Sequence, residues 1–454
     1  MKYITDLHLH SKYSRAVSQQ MMLPVMSTWG KKKGLDVLAT GDWTHPLWFR
    51  HITDLLEEKK EGLFGLKENK NSKDKEPLFI LSTEISSIYS QGGKTRRVHN
   101  LVLSESLETV EKINKEMRNR GFNLNSDGRP IIGLSSRNLL ELVLSIDKTA
   151  LLIPCHVWTP WFSLYGSMSG FDSIEECFGD YSKYIFGVET GLSSDPEMNW
   201  RIKELDKRTI LSSSDAHSMA KMGREATVFE LEDLTFKNIR RAIISPSLKA
   251  DWKSLPDKIS YTIEFYPEEG KYHYTGHRNC HISQSPEETK KKGTICPVCN
   301  RNLTVGVMHR VEDLSSSNRK GKSKVDDKGV KWIYDPREIH PPFIKLVPLL
   351  EIVAESLSMT VAAQRVKDKF DQLCLVFGSE INALLNVSID DLKKQVDERL
   401  VEGIVKVRKG DIVINPGFDG QYGVVKIWNS ENKDEKENKN TVTPLKKNQL
   451  GLDF

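Results

Sequence analysis

Short apolar runs alternate with stretches of helical spacing through the first half of the chain. The apolar runs cover residues 3–7, 34–42, 77–84, 97–103, 150–156, 184–189 and 209–217. Residues 107–120 and 138–147 instead repeat apolar positions with the period of an amphipathic helix. Strands that alternate with helices predict an α/β fold with a parallel sheet and helical crossovers.

Most of these runs carry a histidine or an acid at or near their end. The residues are His8, His10, Asp42, Glu84, His99, His156, Glu189, Asp215 and His217. A single residue of this kind is ordinarily a solvated loop residue. Chance alone is not expected to put a histidine or an acid at so many strand ends. Functional side chains of parallel-sheet folds gather at the carboxyl ends of the strands. The pattern therefore predicts one polar site.

The pair His8-Leu9-His10 indicates what that site binds. Side chains alternate along a strand, so both imidazoles face the same side. Two converging imidazoles are a metal-binding geometry, although a single pair is equally compatible with coincidence.

The order of these motifs, including the closing Ser214-Asp215-Ala216-His217, resembles the PHP family over residues 1–250. The resemblance implies a distorted (β/α)₇ PHP barrel with a two- or three-metal phosphoesterase centre. The stretches 83–86, 155–163 and 189–196 are, more narrowly, similar to endonuclease Q. That enzyme family nicks DNA on the 5′ side of deaminated bases (dU, dI, dX) and abasic sites.

The resemblance implies a ligand set in three parts. His8, His10, Glu84 and Asp215 would hold one ion and form the catalytic set, Glu84, His99 and His156 a second ion, and Asp42 and His217 a third. The chain departs from the wider PHP pattern at Arg15 and Trp43, where many members have an acid and a histidine. The third ion is therefore absent or has fewer protein ligands.

Mixed imidazole and carboxylate ligands suit Zn²⁺, Mn²⁺ or Mg²⁺. Two such cations lower the pKa of a shared water and neutralise charge on a phosphodiester. We expect hydrolysis of one DNA strand without a covalent intermediate. Double-stranded DNA with damaged bases, and also single-stranded DNA, would be the substrate. A PHP phosphatase for a small phosphate ester and a non-catalytic DNA-binding scaffold are the alternatives.

A second metal motif lies in the middle of the chain. His277, Cys280, Cys296 and Cys299 have the spacing HxxC-x15-CxxC, which is typical of a structural zinc ribbon. His273, His281 and His309 are competing ligands. A module held by one zinc ion stabilises a region too small for its own core.

Composition supports an intracellular protein with several domains. The chain has 454 residues, a net charge of +4 and six cysteines. We expect a cytoplasmic, nucleoid-associated monomer without a membrane span. Basic clusters at 96–97, 290–292 and 319–324 are candidates for phosphate contact, although such runs usually form a solvated face.

The predicted organisation has five parts: a PHP domain at 1–255, an inserted zinc module at 256–313, a flexible linker at 314–345, a helical region ending in a β-hairpin at 346–428, and a disordered tail at 429–454. The tail ends in an apolar hexamer, with Gln449, Leu450, Leu452 and Phe454 in the pattern QLxLxF. This resembles the peptide that bacterial proteins dock on the replication sliding clamp. A peptide for an archaeal or eukaryotic clamp, which usually has an aromatic pair, and a chance apolar terminus are the alternatives.

Enzymes that act on a damaged base usually extrude it from the helix into a pocket. We expect Ser193 and Ser194 to contact the edge of that base. Trp158, Trp161 and Phe162 follow His156 and could stack on a base or act as a wedge, although packing at the barrel rim is equally compatible.

Overall fold

The computed structural model describes residues 1–67, 76–248 and 252–429. The strands are β1 Lys2–Asp6, β2 Val37–Ala39, β3 Leu56–Lys60, β4 Leu63–Leu66, β5 Leu78–Gln91, β6 Lys94–Ser104, β7 Ile131–Ile132, β8 Leu151–Pro154, β9 Gly187–Glu189, β10 Thr209–Leu211, β11 Ala226–Glu230, β12 Lys258–Glu264, β13 Thr275–His277, β14 Ile282–Gln284, β15 Lys322–Val325, β16 Lys331–Tyr334, β17 Phe343–Lys345, β18 Val413–Asn415 and β19 Val424–Lys426. The α-helices are α1 Leu23–Lys33, α2 Pro46–Leu55, α3 Leu107–Asn119, α4 Ser136–Ile146, α5 Ile174–Phe178, α6 Pro196–Asn199, α7 Phe236–Leu248, α8 Pro286–Lys292, α9 Val307–Leu314, α10 Leu349–Ser356, α11 Gln364–Phe377, α12 Glu380–Leu385, α13 Ile389–Gln395 and α14 Glu398–Lys409.

The α/β class is confirmed, but the prediction of a parallel sheet is wrong. The large sheet is mixed, with the order β15-β16-β17-β12-β11-β1-β2-β5-β4-β3 and with β6, β7 and β8 attached beside β5. Strands β1, β2 and β5 run parallel, whereas β11 is antiparallel to β1 and β6 is antiparallel to β5. The closing strand of the first region thus returns against β1.

The hairpin β5–β6 departs from the predicted pattern of parallel strands joined by helices. Gly92 and Gly93 connect the two strands, with φ angles of 62° and 72°. Two consecutive positive φ angles produce the tight turn that suits the twist of a hairpin, and glycine adopts them without strain. His99 consequently lies inside an antiparallel strand rather than at the carboxyl end of a parallel one.

The prediction of a linker at 314–345 is wrong from residue 322 onward. Strands β15, β16 and β17 extend the large sheet through β12. The polar composition reflects an exposed edge hairpin, since every residue of β15 faces solvent. Asp326 orders the turn, because its carboxylate accepts from Trp332 Nε1 at 2.8 Å and from the backbone of Val330 at 2.9 Å.

Helices α10 to α14 lie in the region predicted to be helical, and they pack on the first region. Helix α13 ends at Gln395, and Asp397 caps α14 by accepting from Leu400 N at 3.0 Å. At the junction with α1, Lys33 Nζ lies 2.7 Å from Glu380 Oε2, and both side chains are buried.

Strands β18 and β19 pair as an antiparallel hairpin where the terminal hairpin was predicted. Their connecting loop contacts the segment predicted to bind zinc, where Tyr274 N donates to Gly417 O at 2.9 Å and Thr304 Oγ1 donates to Asp419 Oδ1 at 2.6 Å. Across the described part of the chain, we find no helix with both the length and the apolar character needed to cross a membrane.

Candidate metal centre and its relatives

The end of β1 is attached to the segment that carries Asp215. The buried Asp6 side chain accepts hydrogen bonds from Ser214 N at 3.0 Å, Ser214 Oγ at 2.6 Å and Gly223 N at 2.9 Å. These bonds place Asp215 beside the two histidines that follow β1. Sequence reasoning passed over Asp6, although it stands at the end of the first strand run.

Glu84 lies at the centre of the cluster. Its Oε1 is 2.6 Å from His99 Nδ1 and 3.2 Å from His156 Nε2. Its Oε2 is 3.2 Å from His10 Nε2 and 3.7 Å from His8 Nε2. One carboxylate therefore contacts two separate pairs of imidazoles, which is the arrangement of a bridging ligand.

Asp215 completes the first pair of imidazoles. Its Oδ1 lies 3.1 Å from His10 Nε2 and 3.7 Å from His8 Nε2. His217 is grouped with His10 and Asp215, with potential ligand atoms within 4.8 Å of one another. The structure thus brings together seven of the eight residues expected at the centre with their ligand atoms facing one another.

The eighth residue, Asp42, faces a different way. Its Oδ1 lies 3.0 Å from His10 Nδ1, and its Oδ2 accepts from Ser11 N at 2.6 Å and Ser14 Oγ at 2.9 Å. Both oxygens are occupied, so Asp42 orients His10 instead of facing the cluster. The expectation that Asp42 ligates a third ion is corrected on this geometry.

Glu189 does the same for His8 and was not assigned from the sequence. Its carboxylate lies 3.0 Å and 3.1 Å from His8 Nδ1, and it accepts from the backbone N of His156 at 3.1 Å. A carboxylate on the far nitrogen fixes the tautomer of a metal-binding imidazole. The acid at the end of the run 184–189 was the signal for this role.

The acids of the cluster keep their charge. Burial raises the pKa of Glu84 and Asp215, but neighbouring positive charge outweighs this and holds both pKa values well below the usual range. At Glu84 the pKa is lowered most by the close contact with His99, followed by the permanent charge of Arg129, and at Asp215 it is lowered by His8 and His10. The cluster therefore presents ionised carboxylates to any cation.

The histidines fall into two groups. Burial lowers the pKa of His99 and His217 to about 4, which keeps both imidazoles neutral. Burial also lowers the pKa of His8 and His10, but Glu189 and Asp42 raise both values well above the usual range. A metal ion binds imidazole in competition with a proton, so a cation here would replace those protons.

Backbone strain is concentrated at the same place. Asp42, His156, Phe162 and Asp215 have φ angles of 47°, 30°, 63° and 46°. Residues other than glycine adopt positive φ at an energetic cost, and such residues cluster at functional sites.

The donor set fits divalent cations. Within the described residues, Nε2 of His8 and of His10 are buried and complete no hydrogen bond. Two groups of potential ligands share Glu84: one with His8 and His10, the other with His99 and His156. Buried imidazole nitrogens without a hydrogen-bond partner, next to ionised carboxylates, form a donor set that a divalent cation would satisfy.

Arg129 is a further member of the site that sequence reasoning missed. Its Nη1 donates to Glu84 Oε2 at 3.1 Å, and its side chain is largely buried. It stands outside the strand runs, in the loop before β7, so no periodic signal marked it.

Comparison with known proteins identifies the family to which this chain belongs. The chain resembles the lesion-specific endonuclease PfuEndoQ from Pyrococcus furiosus, with a TM-score of 0.77 and 29% identity over 98% of this chain and 100% of that one. It also resembles endonuclease Q in complex with a 27-mer duplex bearing an abasic lesion at the active site, with a TM-score of 0.78 and 30% identity over 96% of this chain and 100% of that one. The chain belongs to the endonuclease Q family.

Two further proteins and one domain family are similar. An uncharacterized protein of Bacillus subtilis is 26% identical over 94% of this chain and 99% of its own length. An uncharacterized protein of Methanocaldococcus jannaschii is 34% identical over 59% of this chain, and the match spans only 31% of that protein's length. Residues 348–411 match the MJ0043 C-terminal domain family.

The residues expected to contact an extruded base divide into two sets. Trp158 and Ser194 are buried and occupied, since Trp158 Nε1 donates to Asn199 Oδ1 at 2.8 Å and Ser194 Oγ donates to Thr190 O at 2.9 Å. Their expected base contacts are corrected, because neither side chain faces an open surface.

Ser193, Trp161 and Phe162 are only half-buried. Phe162 packs 4.9 Å from the His99 ring, and Trp161 meets Tyr272 edge-on at 5.4 Å. The Phe162 ring therefore lies next to the cluster.

The residues of the expected zinc ribbon come together. The ligand atoms of His277, Cys280, Cys296 and Cys299 lie within 4.8 Å of one another, with His277 Nδ1 3.3 Å from Cys299 Sγ. His277, rather than the competing histidines, is the one grouped with the three thiols. The sliding-clamp peptide at 449–454 lies outside the described residues.

Proposed function

We propose that the protein is a metal-dependent DNA repair endonuclease that hydrolyses the phosphodiester 5′ of deaminated bases and abasic sites. The observation that carries this proposal is the similarity over nearly the full chain to endonuclease Q, including a complex with abasic DNA, together with the cluster around Glu84 in this chain. Duplex DNA with a lesion is the proposed substrate, and single-stranded DNA is a second one.

The proposed ligands form two sites that share Glu84. His8, His10 and Asp215 would hold one ion with it, and His99 and His156 a second ion. His217 is near enough to Asp215 to take part in a third. When bound, divalent ions at these sites would acidify a water molecule and offset the charge of the phosphodiester.

The surrounding residues fix the ligands before substrate arrives. Asp42 and Glu189 accept from the far nitrogens of His10 and His8, which directs both Nε2 atoms inward. Ligands whose positions are fixed in advance need not reorganise during the reaction. We also propose that residues 1–255 form a PHP-type barrel, because their metal-binding motifs occur in the order of that family.

Nicking of defined duplexes tests the proposal. Duplexes with a single dU, dI, dX or abasic site are incubated with the full chain, with and without Mn²⁺, beside an undamaged duplex. We expect a metal-dependent nick on the 5′ side of each lesion only. Asp215→Ala should abolish nicking, while Asp180→Ala, an exposed acid, should leave it unchanged.

Equal nicking of damaged and undamaged DNA would reject lesion specificity. Retained nicking by metal-loaded Asp215→Ala protein would reject the assigned centre. Hydrolysis of small phosphate esters without any nicking would instead favour the phosphatase alternative.

The zinc module and the tail complete the proposal. We propose that His277, Cys280, Cys296 and Cys299 bind one structural zinc ion, since four protein ligands leave no open position for substrate. Metal analysis of a Cys296→Ser, Cys299→Ser protein should show one zinc ion fewer per chain.

We also propose that residues 449–454 dock on a replication sliding clamp, on the strength of the sequence pattern alone. Deletion of these six residues should abolish clamp binding and leave nicking of short oligonucleotides unchanged. Unchanged clamp affinity would refute the docking role.

A further inference from the structure

The backbone around Arg129 is fixed on both sides. Gly128 N donates to Tyr13 O at 3.0 Å, and Thr44 Oγ1 donates to Gly128 O at 3.1 Å. Arg129 N donates to Asp127 Oδ1 at 3.1 Å. On the other side, Ser86 N donates to Pro130 O at 3.0 Å.

Gly128 allows this segment to approach the centre closely. A Cβ atom at this position would lie 2.4 Å from Asp42 Oδ2 and 2.5 Å from Ser14 Oγ. No other residue fits without displacing the carboxylate that orients His10. The loop thus brings one guanidinium against the cluster in a defined position.

A fixed cation in a cation-binding cluster requires an explanation. Arg129 Nη1 contacts Glu84, the carboxylate shared by both groups of potential ligands. A permanent positive charge there repels the divalent ions that the cluster would hold. That repulsion is offset if a negatively charged group of the substrate binds at the same point.

We propose that Arg129 binds a non-bridging oxygen of the scissile phosphodiester, an inference that rests on the proposed endonuclease function. A guanidinium has a planar fork of five N–H donors, and this fork binds carboxylate and phosphate oxygens with the same geometry. The fork matches the geometry of a phosphate better than the point charge of lysine does.

The competing role for Arg129 is purely structural: it would neutralise Glu84 and hold it in place. The two roles predict different effects of the change Arg129→Gln, which removes the positive charge. Loss of a structural partner would alter metal affinity without DNA. Loss of a phosphate-binding group would instead alter recognition of the charge on one phosphate.

The test compares two abasic duplexes that differ at one linkage. One has the normal phosphodiester 5′ of the lesion, and the other has an uncharged methylphosphonate there. Binding is measured without added Mn²⁺ and without a chelator, so that no nicking occurs and the proposed structural zinc ion is retained. Wild type, Arg129→Gln, Arg129→Lys and Arg15→Gln are compared.

Arg15 is the matched control. It is a nearby arginine on the same loop network, with its Nε 3.4 Å from Asp127 Oδ2, but its side chain is 78% exposed. Removing Arg15 lowers the general electrostatic attraction to DNA but does not remove a group that binds the phosphodiester 5′ of the lesion.

We expect wild type to bind the phosphodiester duplex about 10-fold more tightly than the methylphosphonate duplex. Arg129→Gln should reduce this preference to less than about 2-fold, and Arg129→Lys should give an intermediate value. Arg15→Gln should keep the wild-type preference. With Mn²⁺ and the normal duplex, Arg129→Gln should lower the single-turnover nicking rate by about 100-fold.

A wild-type preference retained by Arg129→Gln would overturn the inference, as would a change confined to metal affinity. If Arg129→Gln does not fold, the same criteria apply to Arg129→Lys. Absence of lesion-specific nicking by wild type would instead reject the proposed function. Absence of any DNA binding by wild type would reject both.

Discussion

Glu189 shows how one side chain can control two others. It contacts His8 through the side chain and His156 through the backbone. We expect Glu189→Gln to weaken metal binding by about 10- to 100-fold, because a neutral amide no longer fixes the tautomer of the His8 ring whose Nε2 faces the cluster. A metal-competition titration measures this effect. Glu204→Gln, which changes a glutamate bonded to Tyr165, is the control and should retain wild-type affinity.

Asp42 distinguishes an orienting residue from a ligand. In Asp42→Asn, the amide nitrogen would meet the Ser11 N–H, so the hold on His10 weakens. We expect the number of bound ions per chain to stay constant while affinity falls by about 10-fold. Elemental analysis at saturating metal gives the number. The control is Asp54→Asn, which changes an exposed acid. If Asp42→Asn binds one ion fewer than this control, Asp42 is a metal ligand.

At the scale of elements, Arg408 joins α14 to the end of α12. Its buried guanidinium donates to the carbonyl oxygens of Ala383 at 2.9 Å, Leu384 at 2.7 Å and Val387 at 2.7 Å. These acceptors lie at the carboxyl end of α12, where the helix leaves its own carbonyls unbonded.

Arg408→Ala should therefore lower the free energy of unfolding by about 3 kcal/mol, because several buried acceptors lose their donor. Urea denaturation followed by circular dichroism measures the change. Arg399→Ala removes an exposed arginine from the same helix and should have little effect. Equal midpoints for the two variants would contradict the capping role.

At the scale of the whole molecule, the buried pair Glu225 and Glu264 in and beside the large sheet makes the free energy of unfolding depend on pH. Burial raises the pKa of Glu264 to about 8, and burial together with the charge of Glu264 raises the pKa of Glu225 well above its usual range. Above the ordinary glutamate pKa of 4.5 the unfolded chain loses these protons, while the native state keeps them until the pH passes the raised value. Stability should therefore fall as the pH rises from about 4.5 to about 8.

Glu264→Gln removes part of this dependence because an amide does not ionise. We expect a higher urea midpoint than wild type at pH 8 and no advantage at pH 4.5. Glu111→Gln, on the exposed face of α3, should follow the wild-type curve. An identical pH dependence for Glu264→Gln would show that the pair ionises freely in the native state.

The pattern of the sequence predicted the α/β class, and its resemblance to the PHP family predicted the residues that meet at Glu84. Periodicity identifies a strand or a helix from local spacing, and histidines and acids at strand ends keep their meaning in any sheet order. Periodicity did not predict the antiparallel pairing of β5 with β6, because the hairpin depends on Gly92 and Gly93 rather than on the pattern of apolar residues. It failed again at 322–345, where an exposed edge has the composition of a linker.

Only the tertiary structure decided which way each polar side chain faces. Asp42 and Asp215 are both acids that follow a short strand, yet one orients His10 and the other faces the cluster. Trp158 and Trp161 are three residues apart, yet one is core and the other lies at the rim. Arg129 reaches Glu84 from a loop without any periodic signal. Sequence determines which chemistry is available, but the direction of each side chain follows from long-range packing, which no local pattern contains.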